Sequence, residues 1–116
     1  MNKRTIGREK EELAAAYLKE QGYLIIEKNF RCRAAEIDLI ARDGDILSFI
    51  EVKFRSSSKC GDPLEAVGPL KQKKIYEAAL FYIARKGIPA DTQIRFDVVS
   101  ILSDDITIIK NAFMIS

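Results

Sequence analysis

Asp43-Gly44 lies between two runs in which charged side chains alternate with apolar ones, and this arrangement restricts the fold more than any other feature of the chain. The first run is Ala35-Glu36-Ile37-Asp38-Leu39-Ile40, and the second is Phe49-Ile50-Glu51-Val52-Lys53. A strand sends alternate residues to opposite faces, so Glu36 and Asp38 share one face of the first run, and Glu51 and Lys53 share one face of the second. Asp-Gly between strand-like segments is a strong hairpin signal. With Asp43-Gly44 as the two-residue turn, Arg42 pairs with Asp45 and Glu36 falls opposite Glu51. Three carboxylates and one ammonium then converge on one face of a sheet.

The flanking sequence supplies layers for such a sheet. Residues 5–21 have helical spacing, with Thr5 as a capping residue, Gly22 as the stop, and Leu13, Ala14, Tyr17 and Leu18 as the apolar stripe. Residues 23–30 are strand-like, and the two runs above follow. Residues 56–69, rich in serine and proline, form a loop long enough to be functional. Residues 70–86 form a second helix that buries Ile75, Ala78, Ala79, Tyr82 and Ile83 and stops at Gly87-Ile88-Pro89. Strands at 93–102 and 106–113 complete the order. Helix, three strands, helix, two strands implies an α/β fold with a mixed sheet. The first three strands form an antiparallel meander, and the second helix is a crossover that sets the fourth strand parallel to the third. The 116 residues suit one domain spanning 1–116.

Composition narrows the chemistry. Histidine is absent, which removes Ser-His-Asp and Cys-His catalysis and His-liganded zinc. Cys32 and Cys60 are too far apart in sequence to form a metal-type pair and are expected to stay reduced. No apolar run approaches the length of a bilayer span, and no apolar segment follows Met1-Asn2-Lys3-Arg4, so a cytoplasmic protein with no membrane partner is expected. A net charge of +2 does not announce a nucleic-acid binder. Basic residues nevertheless cluster at Lys3/Arg4/Arg8/Lys10, at Arg31/Arg33 and at Lys71/Lys73/Lys74. Each cluster alone reads as solvated surface, whereas several beside an acidic site suit a phosphate backbone.

Hydrolysis of a phosphodiester by a metal nuclease needs hard oxygen ligands for Mg²⁺, a positioned water and positive charge at the phosphoryl oxygens. Asp38 and Glu51, diagonal across the expected hairpin at roughly 7–8 Å, can supply ligand oxygens, with the Val52 carbonyl as a third. Lys53, two residues beyond Glu51, can reach a water or phosphate oxygen on the same side. Glu-x-Lys alone is a weak signal, because an opposite-charge pair two apart on a strand usually marks a wet face. Its setting strengthens it: Ile46, Ile50, Val52 and Phe54 fill the other face, as in a central strand, and central strands seldom carry clustered carboxylates. Glu9 and Glu11 border the helix stripe equally, and periodicity does not choose between them. Lys71 and Gln72 open the second helix, where either could approach a phosphate. Asp97 interrupts an apolar strand, where it could support Arg95 or Lys53 or face water.

Gly7-x3-Glu11-x2-Ala14-x2-Tyr17-Leu18, Asn29-x-Arg31, Glu36-Ile37-Asp38-Leu39-Ile40, Glu51-Val52-Lys53-x-Arg55, Lys71 and Arg95-Phe96-Asp97-Val98-Val99 together resemble the uncharacterised bacterial YraN-type family. That family is similar to small members of the PD-(D/E)XK nuclease superfamily and to archaeal Holliday-junction resolvases. The resemblance implies a restriction-endonuclease-like three-layer core, a mixed five-stranded sheet flanked by helices. It implies Asp38, Glu51 and Lys53 as the catalytic set and brings Glu11 to the site. Glu36 and Gln72 take auxiliary places. The family usually has glycine just before Glu-Ile-Asp, where this chain has Ala35, so a positive φ there would be costly.

The leading expectation is therefore an Mg²⁺- or Mn²⁺-dependent endonuclease acting on DNA, branched or damaged DNA included. Asp38, Glu51, Val52 and Glu11 hold the metal, and Arg8, Arg31, Arg55, Lys71, Lys73, Lys74 and the 56–69 loop contact phosphates. By analogy with the resolvases, a homodimer is expected. The competing expectations are a non-catalytic module that binds nucleic acid or protein, and an acidic patch that holds no metal.

Overall fold

In the computed structural model, residues 3–55 and 67–113 are described. Helix α1 (Lys3–Glu20) precedes three strands, β1 (Leu24–Arg31), β2 (Glu36–Asp43) and β3 (Ile46–Arg55). Helix α2 (Pro69–Lys86) and strands β4 (Ile94–Leu102) and β5 (Asp105–Ile109) follow. The sheet order is β1-β2-β3-β4-β5, parallel only between β3 and β4. The expected meander and crossover are both present.

Each face of the sheet carries one helix. Ala14, Ala15 and Leu18 of α1 pack with Leu39, Ala41, Ile50, Val99 and Ile101 on one face. Ile75, Ala78, Ala79 and Tyr82 of α2 pack with Ile40, Leu47, Phe49, Phe96 and Val98 on the other. A central strand buried on both faces needs apolar residues at both parities, which is why β3 reads as a nearly continuous apolar run. The α1 stripe is narrower than its spacing suggests, because Leu13 is 42% exposed while Ala14 and Ala15 sit against the sheet. Small residues there let the helix approach closely.

Glycine closes both helices as expected. Gly22 (φ 96°) follows α1, with its N–H donating to the Lys19 carbonyl and the Tyr23 N–H to the Leu18 carbonyl. Gly87 (φ 64°) repeats the arrangement after α2, through bonds to the Ala84 and Ile83 carbonyls. A residue at positive φ lets the chain turn back on these last carbonyls, a conformation that costs glycine least. The start of α1 differs from expectation: the helix begins at Lys3, so position 5 lies within it and not before it. Strand β5 ends at Ile109, short of the expected 113, because Asn111 turns the chain at φ 55°. Phe113 still stacks on Phe96, with ring centroids 5.1 Å apart.

The turn between β2 and β3 departs from the Asp43-Gly44 assignment. Asp43 pairs with Ile46, so Gly44-Asp45 is the two-residue loop. Gly44 has φ 63°, as a glycine in the first position of a type II′ turn requires. Every β2 residue therefore meets a β3 residue two further along than expected. A two-residue shift preserves the faces and changes the neighbours. Ala35 is not among the positive-φ residues, so alanine fits before Glu36 at no backbone cost.

A candidate metal-dependent site where two strands part

The β2–β3 ladder runs from the turn to Leu39↔Ile50 and stops, although both strands continue. One step further along this register, Asp38 comes beside Glu51, not diagonal to it. The Asp38 side chain occupies the place of the missing ladder bond: Oδ2 accepts the Val52 N–H at 2.8 Å. The strands part here, and groups from both helices reach the same opening.

Glu51 is the centre of this opening, with its side chain 10% exposed. Lys71 Nζ, from the first turn of α2, lies 3.2 Å from Glu51 Oε1, and Lys53 Nζ lies 3.8 Å from the same oxygen. From the opposite layer, Glu11 of α1 is close enough to Glu51 and Glu36 for their charges to act on it. Glu9 is exposed, so the structure makes the choice that periodicity left open.

Carboxylates gathered in a half-buried place resist ionisation together. Burial, and then the Glu51 charge, push the Asp38 carboxyl up to about 8, against the opposing effect of the Val52 N–H. Burial and the charges of Glu36 and Glu51 raise Glu11 above the usual carboxylate range. Burial and the neighbouring Lys71 ammonium lower the Lys53 pKa. Burial works against the Lys71 charge as well, but its contacts with Lys53 and Glu51 outweigh that and raise its pKa. The cluster thus holds acids that are reluctant to lose a proton beside a lysine that gives one up more readily than usual.

A cavity of about 420 Å³ adjoins the opening, lined by Gly7, Arg8, Glu11, Asn29, Arg31, Glu36 and Asp38. Asn29, in the Asn29-x-Arg31 stretch, ties this wall together. With its amide nitrogen facing the acceptors, its side chain donates to Glu36 Oε1 at 3.0 Å, to Glu11 Oε1 at 3.2 Å and to Glu11 Oε2. Asn29 sits at φ 54°. An asparagine inside a strand-like run is a legible hint, since asparagine tolerates the left-handed region better than most residues.

Other expected residues fall at various distances from this centre. Glu36 pairs with Arg31 at 3.4 Å across β1 and does not face Glu51. Gln72 donates to the Val67 carbonyl at 2.7 Å, so it steadies the start of α2. Lys71, expected only to contact phosphate, is an inner member of the cluster. Lys73 and Lys74 are exposed on α2, Arg8 is exposed on α1, and Arg55 is half-buried at the end of β3. Residues 56–66 of the expected phosphate-contacting loop, and with them Cys60, lie outside the described residues. Among the described residues, no three acidic or cysteine side chains gather into one metal-binding group. None of the described helices is long and apolar enough to cross a membrane.

An α/β fold with a five-stranded mixed sheet between two helices is compatible with a three-layer nuclease-like core. The chain belongs to uncharacterised protein family UPF0102, the YraN family, whose model matches residues 10–101. It is 47% identical to a UPF0102 protein of Lachnoclostridium phytofermentans over 97% of this chain and 96% of that one. It is 51% identical to a UPF0102 protein of Geobacter sulfurreducens, over 89% of this chain and 84% of the relative.

Proposed function

We propose that the protein is a metal-dependent endonuclease that hydrolyses DNA phosphodiester bonds at the opening between β2 and β3. The observation that carries this reading is the pairing of Asp38 with Glu51 beside Lys53, where burial and the Glu51 charge raise the Asp38 carboxyl above its usual range. Mg²⁺ is typically held by one or two carboxylates together with water and substrate phosphate. Two carboxylates and the Val52 carbonyl are an all-oxygen donor set of that kind, so the residues fit Mg²⁺ or Mn²⁺. When bound, such an ion supplies charge neutralisation at the phosphoryl oxygens and a more acidic water.

The chain's own groups have distinct tasks in this scheme. Asp38 and Glu51 hold the cation, and the Val52 N–H fixes the orientation of Asp38. Glu11 reaches in from α1 to accept a hydrogen bond from water, and Asn29 keeps its carboxylate in place. Lys53 orients the attacking water and faces the charge that develops on the phosphoryl group. Lys71 balances Glu51 until a phosphate competes for its ammonium. Arg8 and Arg31, on the cavity wall, contact the flanking phosphates.

A cleavage assay tests this reading. The purified protein is incubated with linear duplex, single-stranded and branched DNA in Mg²⁺ or Mn²⁺. Cleavage is expected, with Asp38→Ala and Glu51→Ala each reducing it by roughly a hundredfold or more. No cleavage of any substrate, or cleavage that survives both substitutions, overturns the proposal. DNA binding without turnover would point to a non-catalytic module on the same fold.

A further inference from the structure

A second concavity of about 390 Å³ lies between the β1–β2 loop and α2, lined by Arg31, Cys32, Arg33, Ala34, Glu77, Phe81 and Arg85. Three arginines face one glutamate there, so the walls are cationic. Arg33 and Arg85 have no ion-pair or hydrogen-bond partner among the described residues, and both are exposed. The floor is apolar. Phe81 is 48% exposed, an unusual degree for a phenylalanine on a helix that buries four other side chains. Its ring centroid lies 6.3 Å from that of Phe30, which is buried, so Phe81 is braced from beneath while much of its ring faces solvent.

Arg31 lines this groove and also the cavity beside Glu11 and Asp38. One side chain thus joins the two concavities into a track that leads from the candidate site to α2. A braced, exposed aromatic ring flanked by unpaired guanidinium groups matches a ligand that combines flat π-faces with regularly spaced negative charges. Unpaired nucleic acid has both, whereas the bases of a duplex are stacked on each other and cannot lie on a protein ring.

We propose that this groove binds a single-stranded DNA segment, with a base stacked on Phe81 and phosphates on Arg33 and Arg85, while Arg31 leads the strand toward the candidate site. The link to cleavage rests on the nuclease reading and gives that reading a substrate class: DNA with an unpaired stretch beside the scissile phosphate. The groove itself stands on its own geometry.

The test is fluorescence anisotropy of the full chain with a labelled single-stranded 16-mer and with its blunt duplex, in EDTA so that no cleavage occurs. Phe81→Leu keeps an apolar side chain against Phe30 and removes the stacking surface. It is expected to weaken single-strand binding by roughly tenfold or more and to leave duplex binding within about twofold. Arg33→Gln/Arg85→Gln, at exposed positions, is expected to lower the slope of log K against log salt by about 1.4, from two lost phosphate contacts on a single strand. Equal single-strand affinity in wild type and Phe81→Leu overturns the proposal, as does an unchanged salt slope. Displacement of the oligonucleotide by an acidic tyrosine-containing peptide at equal concentration also overturns it and assigns the groove to a protein partner. Should Phe81→Leu fail to fold, the arginine variant carries the test. The measurement needs no metal and no turnover, so an inactive protein that shows these binding changes would sink the nuclease reading alone.

Discussion

Two aspartates flank the same central strand and meet opposite treatment from the fold. Asp97, on β4, is 1% exposed and fully engaged. It accepts hydrogen bonds from Ser48 Oγ at 2.5 Å, Tyr23 Oη at 3.3 Å, Arg95 Nε at 2.8 Å and the Asn111 N–H at 2.8 Å. Arg95 extends the network to Asp43 at 2.8 Å, where Lys110 joins at 3.1 Å. The start of β1, the β2–β3 turn and the end of β5 are thereby tied to one carboxylate. Hydrogen bonds from Arg95 hold the Asp43 carboxyl below its usual range, burial and the Asp97 charge raise Tyr23, and Asp97 in turn raises Arg95. Asp38, on β2, has one backbone N–H, faces the Glu51 and Glu11 carboxylates, and shares the Lys53 and Lys71 charges with Glu51. A buried charge that the fold needs is supplied with partners by the fold. A charge left in conflict with its neighbours marks a place where a partner comes from outside.

The largest effect is expected where the network is complete. Arg95→Ala leaves Asp97 buried without its cation and should cost about 3–5 kcal/mol of stability, read by urea denaturation. A loss below about 1 kcal/mol would remove the contrast with Asp38. The next effect comes from supplying the missing partner. Mn²⁺ at a hundred times its dissociation constant should stabilise the wild type by about 2.7 kcal/mol. Asp38→Asn should abolish that gain in a melting experiment, and equal stabilisation of both proteins would place the ion elsewhere.

Acidity probes the same contrast without metal. The folded Asp38 carboxyl titrates above its unfolded value, near 8, so the folded state holds a proton that the unfolded chain has already lost. The contribution of Asp38 to stability is complete below the ordinary aspartate range and is lost as pH rises toward 8, with a slope of at most about 1.4 kcal/mol per pH unit. Asp38→Asn should flatten the decline between about pH 4 and 8, as measured by denaturation across that window. An unchanged slope would show that Asp38 carries no conflict. The smallest effect belongs to Lys71, whose side chain is 42% exposed. Lys71→Ala should cost less than about 1 kcal/mol and should tighten Mn²⁺ binding in calorimetry, because a competing cation has left Glu51. Weaker binding would make Lys71 a support of the site, not a placeholder.

Much of this contrast was legible in the chain, because alternation fixes faces. Period puts Glu51 and Lys53 on one side of β3, the hairpin brings Asp38 to that side, and the two-residue shift at Gly44-Asp45 preserves the parity. The same shift was illegible because Asp-Gly and Gly-Asp both suit hairpin turns, and three consecutive turn-forming residues allow either choice. Periodicity could not separate Glu11 from Glu9, since both border the stripe and only the docking angle of α1 exposes one of them. The inward reach of Lys71 depends on how the crossover sets α2 down, which no local pattern encodes. Asp97 could be seen to interrupt an apolar strand, and Arg95 stood beside it in the sequence. Their union with Tyr23 and Asn111 needed the sheet to bring distant segments together.

The central claim is that Asp38 and Glu51 together hold a divalent cation. Crystals soaked in Mn²⁺ test it most directly through anomalous scattering. The account expects a single strong peak between the two carboxylates, absent from crystals of Asp38→Asn. A map with no peak there, or with its strongest peak at another set of residues, would contradict it.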